Sequence, residues 1–152
     1  MVVERIFVSA ASGAAQVECE RILVQAAMGI VGDRHFGKSA HRGQNLTLVE
    51  AEEIELFCAQ AGRDVDLSLT RRNLVTRGVR LNDLVDVHFR VGPVLLRGVE
   101  LCEPCAILGS ALGSESLGAM AVVKHWVRRG GLRVDVVTDG EIGVGARIET
   151  DA

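Results

Sequence analysis

Val85-Asp86-Val87-His88-Phe89-Arg90-Val91-Gly92-Pro93-Val94-Leu95-Leu96-Arg97-Gly98-Val99-Glu100-Leu101 is the stretch that decides the fold. Val85, Val87, Phe89 and Val91 alternate with Asp86, His88 and Arg90, the period-two pattern of a strand with one buried face. Gly92-Pro93 supplies the turn, and Val94 to Leu101 returns as an antiparallel partner. His88 falls on the polar face and reads as solvated. The expected chain is mainly β, built of short, largely antiparallel strands.

The return strand runs into Cys102-Glu103-Pro104-Cys105, two thiols three residues apart. Pro104 has no N–H to give a ladder and fixes its own φ, so the strand is expected to end or bulge there. Cys105 then falls on a constrained turn at a sheet rim, where nucleophiles and metal ligands often sit. Read alone, the pair also fits small apolar packing, since free cysteine is commonly buried. Cys102 sits earlier on the strand and reads as packing or as a resolving thiol.

Working outward, Val2 to Ser9 reads as a strand, Ala10 to Ala15 as a small-residue linker, and Cys19 to Met28 as a second strand. A glycine-punctuated loop follows, containing Gly29, Gly32-Asp33-Arg34-His35, Gly37 and His41-Arg42-Gly43. Asp33 is its one acid and reads as a fix for Arg34. Leu46 to Val49 leads into a helix from Ala51 to Ala61, with Ile54, Phe57, Cys58 and Ala61 on one stripe and Gly62 as the stop. Glu52, Glu53 and Glu55 suit its positive end. Arg71-Arg72-Asn73 enters a short strand at Leu74-Val75. A second helix is expected over Leu117 to Arg129, with Met120, Val123 and Val127 on one stripe. Leu132, Val134 and Val136 alternate as a strand, Asp139-Gly140 signals a hairpin, and Ile142 to Ile148 closes the sheet. The pattern predicts about eight strands, two peripheral helices and no βαβ alternation, in one domain over residues 1–152. A barrel or strongly bent sheet with helices at its ends fits best.

Composition bounds the function. The 152 residues carry 48% hydrophobic and 24% charged side chains, with a net charge of −3. That balance argues against nucleic-acid binding, which needs a dominant basic face. No apolar run approaches the ~20 residues that span a bilayer, and no secretory h-region is apparent, so a cytoplasmic location is expected. In a reducing compartment the four cysteines read as thiols or ligands, not a disulfide framework.

In order and spacing, Gly32-Asp33-Arg34-His35, Gln44-Asn45-Leu46-Thr47-Leu48, Arg71-Arg72-Asn73-Leu74-Val75, Val87 to Gly92, Cys102-Glu103-Pro104-Cys105 and Gly130-Gly131-Leu132-Arg133-Val134 resemble the MOSC domain, the C-terminal module of molybdenum cofactor sulfurases. The resemblance is to a stand-alone bacterial-type member and implies a PK-type β-barrel. It implies a role with the molybdenum cofactor (molybdopterin) or with sulfur, independent of pyridoxal phosphate. Cys105 is the implied functional thiol, ligating molybdenum or carrying a persulfide. Arg71, Arg72 and Asn73, with Asp33, Arg34 and His35, are the implied cofactor-binding set. Some relatives reduce N-hydroxylated compounds with electrons from separate partners, so an oxidoreductase or sulfur-transfer role with a separate electron or sulfur donor protein is implied. Two departures are Gly145-Ala146-Arg147, where the family often has Gly-Asp, and the lack of the N-terminal β-domain found in cofactor-binding reductases.

The residue chemistry agrees. A thiolate is a nucleophile and a soft ligand, and it needs positive surroundings to ionise. Arginine matches phosphate in a bidentate way, and the amide of Asn73 can serve a heterocycle edge. No iron–sulfur cysteine set is present. Two other readings stay open. One is a zinc module of Cys102, Cys105, His35 and His41, disfavoured by its spacing. The other is a small-molecule-binding or thiol-redox protein without molybdenum.

Overall fold

The computed structural model describes residues 1–11, 14–38, 43–62, 71–102 and 119–150. In chain order the elements are β1 (Val2–Val8), β2 (Val17–Cys19), β3 (Arg21–Gln25), β4 (Gly29–Ile30), β5 (Leu46–Glu50), α1 (Ala51–Ala61), β6 (Leu74–Arg77), a 3-10 turn (Leu81–Leu84), β7 (His88–Val91), β8 (Val94–Leu101), α2 (Ala119–Trp126), β9 (Leu132–Val136), β10 (Gly140–Gly143) and β11 (Ile148–Glu149). Eight strands form one curled sheet in the order β11-β7-β8-β9-β5-β6-β1-β2, and β10-β3-β4 form a second. The fold is mainly β and barrel-like, as expected.

The deciding stretch forms its hairpin, with Val91 opposite Val94 and Phe89 opposite Leu96. Phe89, Val91, Val94 and Leu96 are fully buried, whereas His88 and Arg90 face solvent. The strand begins at His88, not Val85, because Val87 N–H turns back to the Leu84 carbonyl and Val85 makes only an isolated bridge. The inward residues of both sheets build one core around Ile6, Leu48, Leu74, Phe89, Leu96, Leu132 and Ile142. At ~25 cal/mol per Å² of apolar area removed from water, this burial is the main stabilising term.

Five expectations need correction. β5 and β6 pair parallel, with α1 between them in sequence, so one βαβ unit is present. The apolar face of α1 requires it: Ala51, Ile54 and Phe57 are buried with Phe7, Val49, Val75 and Trp126 in a smaller second core. Cys19 to Met28 is not one strand. It divides at Glu20, since Val17–Cys19 pairs with β1 while Arg21–Gln25 pairs with β4 and β10. Asp139-Gly140 does not close a β9–β10 hairpin, because the two strands belong to different sheets. The Asp139 carboxylate instead accepts from the Ala26 N–H at 2.7 Å. Ile142 to Ile148 is likewise split, and eleven strands are found among the described residues against the eight expected.

The helices otherwise follow the sequence. Gly62 ends α1 in the left-handed region at φ 70, its N–H donating to the Cys58 carbonyl. Cys58 is half-buried and packs against the second core. The second helix ends at Trp126, not Arg129, so Val127 lies beyond it, exposed at 47%, and Trp126 is the side chain driven into the core at 1%.

Candidate functional site

Asn73, one residue before β6, organises the region. It is 5% exposed. Its side-chain nitrogen donates to the Phe7 carbonyl at 3.0 Å, and its side-chain oxygen accepts from the Thr47 N–H and hydroxyl, both at 3.1 Å. Its backbone repeats the link: Asn73 N–H donates to the Thr47 carbonyl, and Phe7 N–H donates to the Asn73 carbonyl. One buried amide thus pins the ends of β1, β5 and β6, with its hydrogen-bonding capacity spent internally, as burial demands.

The two preceding arginines diverge from this anchor. Arg71 takes a left-handed backbone (φ 57), uncommon for a residue with a Cβ. Its Nη2 donates to the Ala14 carbonyl at 3.1 Å, on the β1 side. Arg72 goes the other way, its Nε donating to the Gly130 carbonyl at 2.7 Å. The motif therefore joins two neighbourhoods.

On the β1 side lies the glycine-punctuated loop. Asp33 is buried, and its Oδ1 accepts from the Ser9 N–H at 3.0 Å while Oδ2 accepts from the His35 N–H at 3.1 Å. Arg34 N–H donates to the Ser9 carbonyl at 2.7 Å. The expectation that Asp33 fixes Arg34 is modified: its hydrogen bonds hold the backbone of Ser9 and of His35, not the Arg34 side chain. Burial pushes the Asp33 carboxyl up, but the bonds from His35 and Ser9 outweigh it and hold the group below its usual range. His35 Nδ1 stands 3.6 Å from Asp33 Oδ2. Arg34 is half-buried, and its Nη1 is buried without a hydrogen-bond partner among the described residues. Burial and the neighbouring positive charge of Arg71 both disfavour its protonated form, against the opposing pull of Asp33.

On the other side, β8 ends where the Cys102 N–H donates to the Gly131 carbonyl at 2.8 Å. Cys102 is 1% exposed. A Cβ on Gly130 would come within 2.4 Å of the Cys102 carbonyl oxygen and 3.5 Å of Arg72 Nη2, so the guanidinium and the end of β8 meet across a bare backbone. Gly131, at φ 104, abuts the Leu48 carbonyl so closely that a Cβ would sit 1.8 Å from it. Only glycine fits there.

Of the expected site residues, Asp33 and Arg34 meet at Ser9, His35 joins them through Asp33, and Arg71 reaches the Ala14 carbonyl. Arg72 stands at the Cys102 end, and Asn73 lies between. Cys105 and His41 lie outside the described residues. Among the described residues no group of three or more His, Cys, Asp or Glu is arranged to hold a metal ion. Sequence reasoning missed Ser9, Thr47 and Gly130. Ser9 could have been suspected as a polar residue at a strand end before a small-residue linker. Gly130 was named only within the Gly130-Gly131 return-strand motif, with no role at the site.

The model of the MOSC domain family matches residues 31–149 of this chain. Among solved structures, YuaD from Bacillus subtilis superposes with a TM-score of 0.84 at 19% identity, over 98% of this chain and 95% of that one. YiiM from Escherichia coli gives 0.66 at 19% identity, over 100% of this chain and 70% of that one. YiiM from Geobacillus stearothermophilus gives 0.69 at 14%, over 99% and 73%. At these identities the likeness is one of fold. No curated protein matches the chain.

Proposed function

Because the chain belongs to the MOSC domain family, we propose that it handles the molybdenum cofactor or its sulfur, with Cys105 as the working thiol. The observation that carries this reading is the divergence of Arg71 and Arg72. One motif supplies a cation beside the Arg34 loop and another beside the Cys102 end of β8, three residues before Cys105 in the sequence. A pterin cofactor with an anionic tail needs cationic groups with spare donors. Arg34 Nη1, which has no hydrogen-bond partner among the described residues, is such a group, so the donor set fits.

In this reading Arg34 and Arg71 bind the anionic part of the cofactor and Arg72 lowers the cost of the Cys105 thiolate. His35, with 43% of its side chain exposed, offers a further polar contact. Asp33 and Asn73 act as positioning residues, since their polar atoms are committed to backbone. When bound, the cofactor supplies a redox-active molybdenum that thiolate sulfur ligates well. Small N-hydroxylated compounds are the proposed substrates if the protein is a reductase, with a separate protein as electron or sulfur donor, in the cytoplasm.

Mass spectrometry of the natively purified full chain tests this. The expected result is a bound pterin, or about +32 Da on Cys105 for one added sulfur, lost in Cys105→Ser and kept in Cys102→Ser. Neither pterin nor added sulfur on protein reconstituted with cofactor would overturn it.

A further inference from the structure

Four of the six residues from Lys124 to Arg129 are basic and none is acidic, in a chain whose net charge is −3. The fold gathers them on one surface. Gln60 of α1 and Ala121, Lys124, His125, Val127 and Arg129 of α2 and the turn after it line a groove of about 490 Å³. His125 fixes its wall: Nδ1 stands 2.8 Å from Gln60 Oε1, and the ring packs edge-on against Phe57 and Trp126, with centroids 5.2 and 5.3 Å away. Lys124 and Arg128 are exposed and make no ion pair among the described residues. Apolar surface flanks these cations, with Val127 exposed at 47% and Leu56, one turn before Gln60 on α1, at 40%. One residue past Arg129, the Gly130 carbonyl accepts from Arg72 Nε at 2.7 Å, so the groove borders the Cys102 end of β8.

We propose that this groove docks an acidic segment of a partner protein, with carboxylates on Lys124 and Arg128 and an apolar side chain against Val127. Clustered cations that read acidic motifs are a recurring mode of peptide recognition, and complementary charge selects the class of partner. Neighbouring cations are already neutralised: Arg77 by Glu4 and Glu55, Arg80 by Glu50 and Glu53, and Arg129 by Glu53 at 3.8 Å. The surplus charge of this face is thus confined to the groove, whereas a nucleic acid or an anionic membrane needs a broad basic surface. The inference deepens the function proposed above and rests on it only for the partner's role as electron or sulfur donor.

The test is fluorescence anisotropy of the full chain with a short labelled peptide of glutamates interspersed with leucines, beside the same peptide with glutamine for glutamate. Saturable binding of the acidic peptide alone is expected, weakening as ionic strength rises. Lys124→Glu and Arg128→Glu together should weaken it by about tenfold or more, and Val127→Ser should weaken it further. Arg90→Glu, on the exposed face of β7, should leave it unchanged. Should the charge reversals fold poorly, the wild type answers the same question, because the chain has only two lysines, Lys38 and Lys124. Carbodiimide coupling of the peptide carboxylates should link Lys124 and spare Lys38. No saturable binding, or equal coupling of both lysines, overturns the docking surface. Displacement by free glutamate at equal carboxylate concentration overturns it too, as does equal binding of a DNA duplex or of phosphatidylglycerol vesicles. Docking by a protein that acquires neither pterin nor sulfur overturns the functional reading alone. Pterin or added sulfur on a protein that does not bind the peptide overturns the docking surface alone.

Discussion

Asn73 and Asp33 show how much one polar side chain decides here. Asn73→Ala strips partners from the Phe7 carbonyl and the Thr47 N–H at a buried junction. A loss of about 2–4 kcal/mol is expected from these unsatisfied groups, read from urea denaturation. In the sequence Asn73 looked like a group offered to a heterocycle, because an isolated amide does not reveal which strands will fold against it. Asp33 makes a pH prediction. Its folded pKa lies below the unfolded value of about 3.9, so the unfolded chain takes up the proton first. The stability it contributes is complete above the unfolded pKa and is lost as pH falls through the folded one. Asp33→Asn should flatten the stability profile in the acid range; an unchanged slope would show that other carboxylates set it.

At the level of elements, the helices were legible and their docking was not. The stripe of α1 and its glycine stop follow from local spacing. What α1 packs against required Trp126 and a second core. His125 Nδ1 lies 2.8 Å from Gln60 Oε1, linking α2 to α1. Burial first, then Arg129, lowers the His125 pKa, with Glu53 opposing. The unfolded histidine, near 6.5, therefore protonates more readily than the folded one. Stability should be complete above about pH 6.5 and fall as pH drops through the folded value. His125→Phe, which keeps the ring contacts with Phe57 and Trp126, should remove that slope between pH 7 and 5 in thermal melts. The turn into β9 gives a sharper test. Gly131→Ala combines a positive φ with a clash against the Leu48 carbonyl and should cost about 3 kcal/mol or more, measured by chemical denaturation.

For the whole molecule, the segment after β10 bonds to strands far apart in sheet order. Gly145 N–H donates to the Val3 carbonyl and Val3 N–H to the Ala146 carbonyl, while Ile148 pairs with Val91 on β7. This seam draws β1 towards β7 and closes the curl. Ile148 is 3% exposed, so Ile148→Ala should cost about 2–4 kcal/mol. A cost no larger than that of a surface substitution in equilibrium unfolding would show that the seam does not bear on closure.

The sequence by itself determined the mainly β class, the central hairpin, both helices and the ordered motifs of the family. These depend on local periodicity, turn chemistry and residue order, all carried within short windows. Tertiary structure alone decided the parallel pairing of β5 with β6, the division of strands between two sheets, and the separation of Arg71 from Arg72. Each depends on which distant backbone groups remain to be satisfied once the core has formed, and that information is spread over the chain. The same reason explains why Arg34 was legible as a loop cation, while the burial of its Nη1 without a hydrogen-bond partner among the described residues was not.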